Sequence, residues 1–366
     1  MFFTSLTLQN FKNYSSASLS LSPRINCFVG NNGSGKTNIL DALHYLSFCK
    51  SYFNYIDTQN ILHGEDFFVV KADVNRDDAP DNLLCSVKVG HKKVFKRNGK
   101  EYDRLADHIG LYPLVIITPA DSDIINLGSD SRRRLMDSVI AQYDRIYLDN
   151  LIAYNKLLVH RNTLLKQDVT SKVKNEVFDA IDAGMAPLAS AIFKARQDFV
   201  NRFIPRFNRL YQSVCPESEI VETIYQSQLA NEDFSVLLAT SFGRDRAVQY
   251  TTQGIHKDDF VFQINGYPVK RFGSQGQQKS FLVALKLAQF EIIRDQKQVN
   301  PVLLFDDIFD KLDNDRVSKL MKLVSESDFG QIFVTDTDED RMKKVFGKLD
   351  AQSFLFRVEN QNVARI

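Results

Sequence analysis

Two short segments carry residues of the types, and at the spacings, that phosphate chemistry needs. Gly30-Asn31-Asn32-Gly33-Ser34-Gly35-Lys36-Thr37 satisfies G-x-x-x-x-G-K-[ST], directly after an apolar run, Ile25–Val29, and directly before a helical pattern from Lys36 to Phe48. Glycines let successive backbone N–H groups curl around phosphate oxygens, and the helix N-terminus adds its dipole. Lys36 neutralises β- and γ-phosphate charge, and Thr37 supplies a hydroxyl ligand for Mg2+. Pro301-Val-Leu-Leu-Phe-Asp306-Asp307 is an apolar strand ending in two carboxylates. Asp306 is placed to hold Mg2+ through water, and Asp307, one residue on, to orient or deprotonate an attacking water. Two acids at a strand end could also cap a helix starting at Ile308, but the phosphate loop gives them a partner.

Lys36 and Asp306 lie 270 residues apart, too far for a compact kinase or GTPase, so a large insertion must separate the two halves of the nucleotide fold. The segment Phe272-Gly-Ser274-Gln275-Gly276-Gln277-Gln-Lys279 precedes a helical run, Ser280–Arg294, and holds Ser, Gly and Gln in the order of the ABC-ATPase signature. In that superfamily the turn does not touch its own ATP. The serine and the N–H groups after it cap the γ-phosphate held by a second subunit. Asp310-Lys-Leu-Asp313 fits the loop that crosses the dimer seam in such proteins. Thr335-Asp336-Thr337 ends a strand expected over Gln331–Val334, where they place a switch residue.

The elements that must position these groups can be read from texture. Short β-type runs (Ser5–Leu8, Ser18–Leu21, Ile25–Val29, Phe67–Ala72, Leu83–Val89) occupy the first third, and Asn98-Gly99 between alternating residues signals a two-residue hairpin. Helical spacing then dominates from Asp130 to Ser213. Tyr147, Leu151, Tyr154, Leu158 and Leu165 mark one long helix, and Val177, Ile181, Met185, Leu188, Ile192, Phe199 and Phe203 a second. A turn at 166–172 should join them, and Pro187 should kink the second. From about Glu219 the β/α texture returns, with a helix from Gln278 to Asp295. The expected architecture is α/β: a P-loop ATPase head in two halves, 1–118 and 214–366, split by an inserted helical arm, 119–213.

Composition excludes other classes. The chain has 366 residues and formal charge +1, with 44% hydrophobic and 25% charged residues, the profile of a globular protein. Such a balance gives no whole-chain signal for a polyanion, so a nucleic-acid site must be a local patch. The hairpin segment 88–104 carries seven Lys or Arg. Lys92, Lys93, Lys96 and Arg97 there, with Arg132, Arg133 and Arg134, are the DNA-phosphate candidates. Their binding should be independent of sequence and weaken with salt. The four cysteines form no C-x-x-C pair, which argues against a zinc site or disulfide framework. No signal-like N-terminus or run of about 18 apolar residues is present, so a cytoplasmic protein without membrane contact is expected.

As a set, Asn10-Phe-Lys-Asn-Tyr14, the phosphate loop with Thr37-Asn-Ile-Leu-Asp-Ala42, Lys50-Ser51, Pro119-Ala-Asp121, Ser131-Arg-Arg-Arg134, Gly254-Ile-His-Lys-Asp-Asp-Phe260, the Ser274 turn and Leu304-Phe-Asp-Asp-Ile-Phe-Asp-Lys-Leu-Asp313 resemble the RecF family of bacterial recombination mediators. Lys12 and Lys257 replace arginines common in those motifs, and Tyr52-Phe53 stand where a basic residue is often found. The resemblance implies a head related to those of structural-maintenance-of-chromosomes and Rad50 ATPases, without their coiled coil. Such heads dimerise around two ATP and hydrolyse it slowly, with stimulation by DNA. They bind duplex DNA near single-strand gaps in replication and repair, and act with RecO and RecR in the response to DNA damage. An ABC transporter ATPase subunit, or a scaffold in which ATP is only structural, are the competing readings.

Overall fold

Period-two patterning produces β1 (Phe2–Phe11) and β2 (Tyr14–Ser20). The buried run that follows is β3 (Ile25–Val29), which leads through the phosphate loop into α1 (Lys36–Phe48). The chain continues through β4 (Phe67–Arg76), β5 (Ala79–Lys88), β6 (Val94–Arg97), β7 (Lys100–Glu101) and β8 (Leu114–Ile117). Next come α2 (Ser122–Asn126), α3 (Ser129–Tyr143), α4 (Arg145–Ser171), α5 (Asn175–Val214), β9 (Val221–Gln226), α6 (Phe234–Val248), β10 (Asp259–Ile264), β11 (Tyr267–Pro268) and α7 (Val269–Phe272). The last stretch holds α8 (Gln275–Lys297), β12 (Val302–Phe305), β13 (Ile332–Asp336), α9 (Glu339–Phe346), β14 (Ser353–Glu359) and β15 (Asn362–Arg365). This computed structural model describes residues 1–77, 79–171, 174–215, 219–307, 329–346 and 352–366. The segment Asp310-Lys-Leu-Asp313 lies outside the described residues.

The described chain divides into two units. The first is Met1–Asp121, Ser213–Cys215 and Lys279–Ile366; the second is Ser122–Gln212 and Pro216–Gln278. Unit one contains an antiparallel sheet in the order β2-β1-β4-β5-β6-β7, and a sheet in the order β15-β14-β3-β13-β12-β8 that is parallel except at the β14–β15 hairpin. Ile39, Leu40, Leu43 and Leu46 of α1 share one core with Phe3, Leu6 and Phe68 of the first sheet and Phe28, Leu304 and Phe333 of the second. The parallel strands read as continuous apolar runs because both faces are covered. Asn98 and Gly99 take left-handed angles between β6 and β7, as the expected two-residue turn requires.

Unit two departs from the sequence expectation in its boundary. After touching the first unit at Ser213–Cys215 the chain returns to it for good only at Lys279, because β9, β10 and β11 form their own three-stranded sheet and α3 packs on β10. Strand texture alone does not say which sheet a strand joins. The expected turn at 166–172 is also displaced, since α4 continues to Ser171. A third helix, α3, precedes the pair and ends at Asp144, whose carboxylate accepts the Tyr147 N–H at 2.9 Å and so caps α4. The 40-residue α5 runs through both Pro187 and Pro205.

Candidate functional site

The phosphate loop is held open by close packing on both flanks. A Cβ at Gly30 would lie 2.2 Å from the Val358 carbonyl oxygen at the end of β14, and one at Gly35 would lie 2.6 Å from the Asn13 amide and 2.7 Å from the Tyr14 hydroxyl. Only hydrogen fits at either place. Asn13 buttresses the loop further, donating to the Ser34 carbonyl at 3.3 Å and accepting from the Asn38 amide at 2.6 Å. Beside the loop is a cavity of about 500 Å3 lined by Asn13, residues 31–34 and the 358–361 hairpin turn.

The residues fit a polyphosphate. Gly35, at φ 113°, is the N-cap of α1 and offers no side-chain cap, which leaves first-turn N–H groups for an anion. The Ser34 hydroxyl is buried and has no partner among the described residues. The Lys36 ammonium, on a buried side chain, donates back to the Gly30 and Asn31 carbonyls at 2.8 and 3.0 Å, so its charge lies within the curl of the loop. Asn31, Asn32 and Gly33 complete its rim.

The carboxylate strand meets this loop in space. The sheet order β3-β13-β12 puts Asp306 at the same strand ends as Thr37, and the Thr37 hydroxyl donates to the Asp306 carboxylate at 2.9 Å across 269 residues of sequence. Burial raises the Asp306 carboxyl above the ordinary range, and the negative charge of Asp307 adds to this. Hydrogen bonds from Thr335 and Thr37 and the Lys36 charge pull it back down. A divalent cation at this carboxylate would reverse the balance. Asp307 is only half-buried and takes a left-handed φ of 44°, while its N–H donates to the Thr335 hydroxyl at 2.9 Å.

Ser274, Gln275, Gly276 and Gln277 belong to unit two and form the start of α8. Ser274 N–H donates to the Gln277 side-chain oxygen at 2.7 Å, and Gln277 N–H donates to the Ser274 hydroxyl at 3.2 Å, a reciprocal capping box. Because the serine oxygen accepts here, its O–H is left to donate outward. Ser274 and Gln275 are exposed. Capping and anion recognition are therefore compatible in this turn.

His256, Asp258 and Asp259 of the Gly254–Phe260 motif are engaged in internal hydrogen bonds and ion pairs, while Lys257 is exposed. Arg196, 2% exposed, pairs with Asp258 at 2.7 Å and Asp137 at 2.9 Å and donates to the Ile255 carbonyl. His256 donates from Nε2 to the Thr251 carbonyl at 3.0 Å and accepts the Tyr154 hydroxyl on Nδ1 at 2.8 Å. This cluster uses up two of the DNA candidates. Arg132 makes two hydrogen bonds to Asp259, at 2.7 and 3.0 Å, and Arg133 donates to the Asp258 carbonyl at 2.6 Å. Arg134 is exposed and pairs with Asp130 on its own helix. In unit one Lys93 pairs with Asp57 and donates to the Cys49 carbonyl, and Arg97 forms a fork with Asp81. Lys92 is exposed and Lys96 half-buried.

Sequence reasoning missed two hubs behind the site. Asp41 on α1 receives Lys12 at 2.6 Å, the Ser51 hydroxyl at 2.6 Å and the Tyr52 N–H at 2.7 Å, which links three of the quoted motifs. Lys12 also lies over the Phe53 ring. Asp121 receives Lys286 at 2.6 Å and the Tyr52 hydroxyl at 2.5 Å, so the aromatic pair at 52–53 serves buried packing. The only signal in the sequence for either was an aspartate inside a quoted motif, Thr37–Ala42 or Pro119–Asp121.

Comparison with known proteins gives the same picture over the whole chain. The RecF/RecN/SMC N terminal domain family matches residues 2–363. "DNA replication and repair protein RecF" of Flavobacterium johnsoniae is 49% identical over 346 residues, covering 94% of this chain and 96% of that protein. The protein of the same name from Phocaeicola vulgatus is 46% identical and covers 98% and 96%. Among solved structures, the recombination mediator protein RecF-ATPrS in the RecFOR pathway superposes with TM-score 0.89 at 26% identity, over 100% of this chain and 98% of that one. The Smc head domain of Pyrococcus furiosus, at TM-score 0.59 and 18% identity, shares the fold. Full-length likeness to repair proteins disfavours the transporter reading. A head split by an insertion, with its phosphate loop and carboxylate strand joined through Thr37 and Asp306, thus sits in a chain that belongs to the RecF family of DNA replication and repair proteins.

Proposed function

We propose that the protein is an ATP-dependent, DNA-binding recombination mediator whose ATP state controls pairing of two copies. The observation that carries this is the Thr37–Asp306 hydrogen bond, which assembles a nucleotide site from the two ends of the chain. Solved RecF structures bound to ATP and to ATPrS support the ligand. Residues Gly30–Thr37 bind the triphosphate, with Lys36 between the β- and γ-phosphates. Thr37 and Asp306 hold Mg2+, which when bound neutralises phosphate charge and polarises the γ-phosphate. Asp307 orients water for attack. Its side chain is one methylene shorter than a glutamate and would hold the water less well, which suits slow, DNA-stimulated hydrolysis as a release step.

Ser274–Gln277 of one copy cap the γ-phosphate bound by the other. The RecFOR pathway named for the solved relative supports RecO and RecR as protein partners, and the DNA taken by this chain is, in this reading, duplex beside single-strand gaps. Lys92, Lys96 and Arg134, which is exposed beside Asp130, remain the DNA-phosphate candidates of this chain, whereas Lys93, Arg97, Arg132 and Arg133 are committed to internal partners. The deciding experiment is the solution mass of the Asp307→Asn protein by light scattering, with ATP and Mg2+ and then without nucleotide. Doubling only with ATP is expected. A mass that stays monomeric with ATP shown to be bound would remove the signature in trans.

A further inference from the structure

The strand β13 is apolar and buried at Ile332, Phe333 and Val334, and then places a fully buried hydroxyl, Thr335, at its end. Valine would match the strand and the burial at least as well, so the hydroxyl asks for a physical reason. Its position supplies one. β13 lies between the phosphate-loop strand β3 and the carboxylate strand β12, with Thr335 in register with Phe28 on one side and Val334 with Phe305 on the other. From there the Thr335 O–H donates to Asp306 Oδ1 at 2.8 Å, while its oxygen accepts the Asp307 N–H at 2.9 Å. The Asp306 carboxylate is therefore gripped by two threonine hydroxyls, from β13 and from α1. The left-handed backbone of Asp307, which non-glycine residues rarely adopt, is pinned by the same group.

We propose that Thr335 is a positioning residue of the nucleotide site: one hydroxyl fixes the metal carboxylate Asp306 relative to the water-orienting Asp307. The inference rests on the ATPase reading above and deepens it. With the hydroxyl removed, Asp306 keeps Thr37, so nucleotide binding survives. Asp307 loses the bond that holds its unusual backbone, and its carboxylate leaves the line of attack. Misplacement of a reacting group by about 1 Å costs on the order of 100-fold in rate.

The test compares Thr335→Val, nearly isosteric, and Thr335→Ser, which keeps the hydroxyl, with wild type. Turnover, ATP affinity without Mg2+ and melting temperature are measured for each, with Thr335→Ala as a second hydroxyl-free variant should valine impair folding. Loss of turnover by about 100-fold in the valine variant is expected, with ATP affinity within about threefold and the serine variant close to wild type. Combined with Asp307→Asn, the valine change should add almost nothing, because both act through one carboxylate. Valine turnover near wild type, serine as impaired as valine, or full additivity with Asp307→Asn would each overturn the proposal. Wild-type protein that binds no ATP would instead bring down the ATPase reading itself.

Discussion

Lys36 shows how a residue's role follows from what surrounds it. Its ammonium is tethered to two carbonyls of its own loop, so an incoming phosphate meets an ordered cation without having to recruit a mobile side chain. Hydrogen bonds to charged groups contribute roughly 1.5–3 kcal/mol, so two of them at the β- and γ-phosphates make Lys36→Ala weaken ATP affinity by about 100-fold or more. Isothermal titration would read this directly, and an unchanged dissociation constant would mean that the loop does not hold the triphosphate. At this scale the positions were legible: Gly30–Thr37 leads into α1, Asp306 follows β12 and meets Thr37, and Ser274 precedes α8, each a local pattern in the letters. Thr335 was legible only as the end of a strand where a switch residue is expected, and the partners of Asn13, Asp41 and Thr335 were not, because only folding brings them close.

Elements were legible where a run forms structure by itself. The helix Lys36–Phe48 and the strand Ile25–Val29 emerge with the expected bounds, since their patterns suffice. The boundary at 279 was not, because β9 and β10 look like head strands and only non-local pairing assigns them to another sheet. Besides their buried apolar side chains, unit two's elements are tied by ion pairs: Arg196 on α5 ties α3 through Asp137 to the 255–258 turn, and Arg161 on α4 joins Asp182 of α5 to Asp245 of α6. Removing one member of a buried pair strands the others without compensation, which costs about 3–5 kcal/mol. Arg196→Met should therefore lower the urea midpoint strongly. If the midpoint stays within experimental error of wild type, those pairs are not what fixes the turn.

Across the whole molecule the near-zero charge hides a shared protonation design. His44 and His108 in unit one and His256 in unit two are each driven by burial to a pKa of about 4. Their partners agree: His108 and His256 each donate from one nitrogen to a backbone carbonyl, Leu46 or Thr251, and accept a tyrosine hydroxyl on the other, an arrangement that only the neutral ring can make. In the unfolded chain the same rings take up a proton near pH 6.5. Between about 6.5 and 4 the unfolded state therefore binds more protons than the folded one. Stability is complete above 6.5 and falls as pH drops through that window, by at most about 1.4 kcal/mol per pH unit for each ring. The buried carboxyls of Asp182, Asp258 and Asp306, raised by desolvation, act in the opposite sense once pH falls low enough to protonate them. The cleanest interval is therefore the upper part of the window. Urea unfolding at pH 7.0, 6.0 and 5.5 should show a falling midpoint that is largely flattened when His108 and His256 are both changed to Gln, since glutamine can also donate and accept but does not titrate. A wild-type midpoint that does not move between pH 7.0 and 5.5 would mean that these rings are not held neutral, and the carbonyl and hydroxyl partners assigned to them would be wrong.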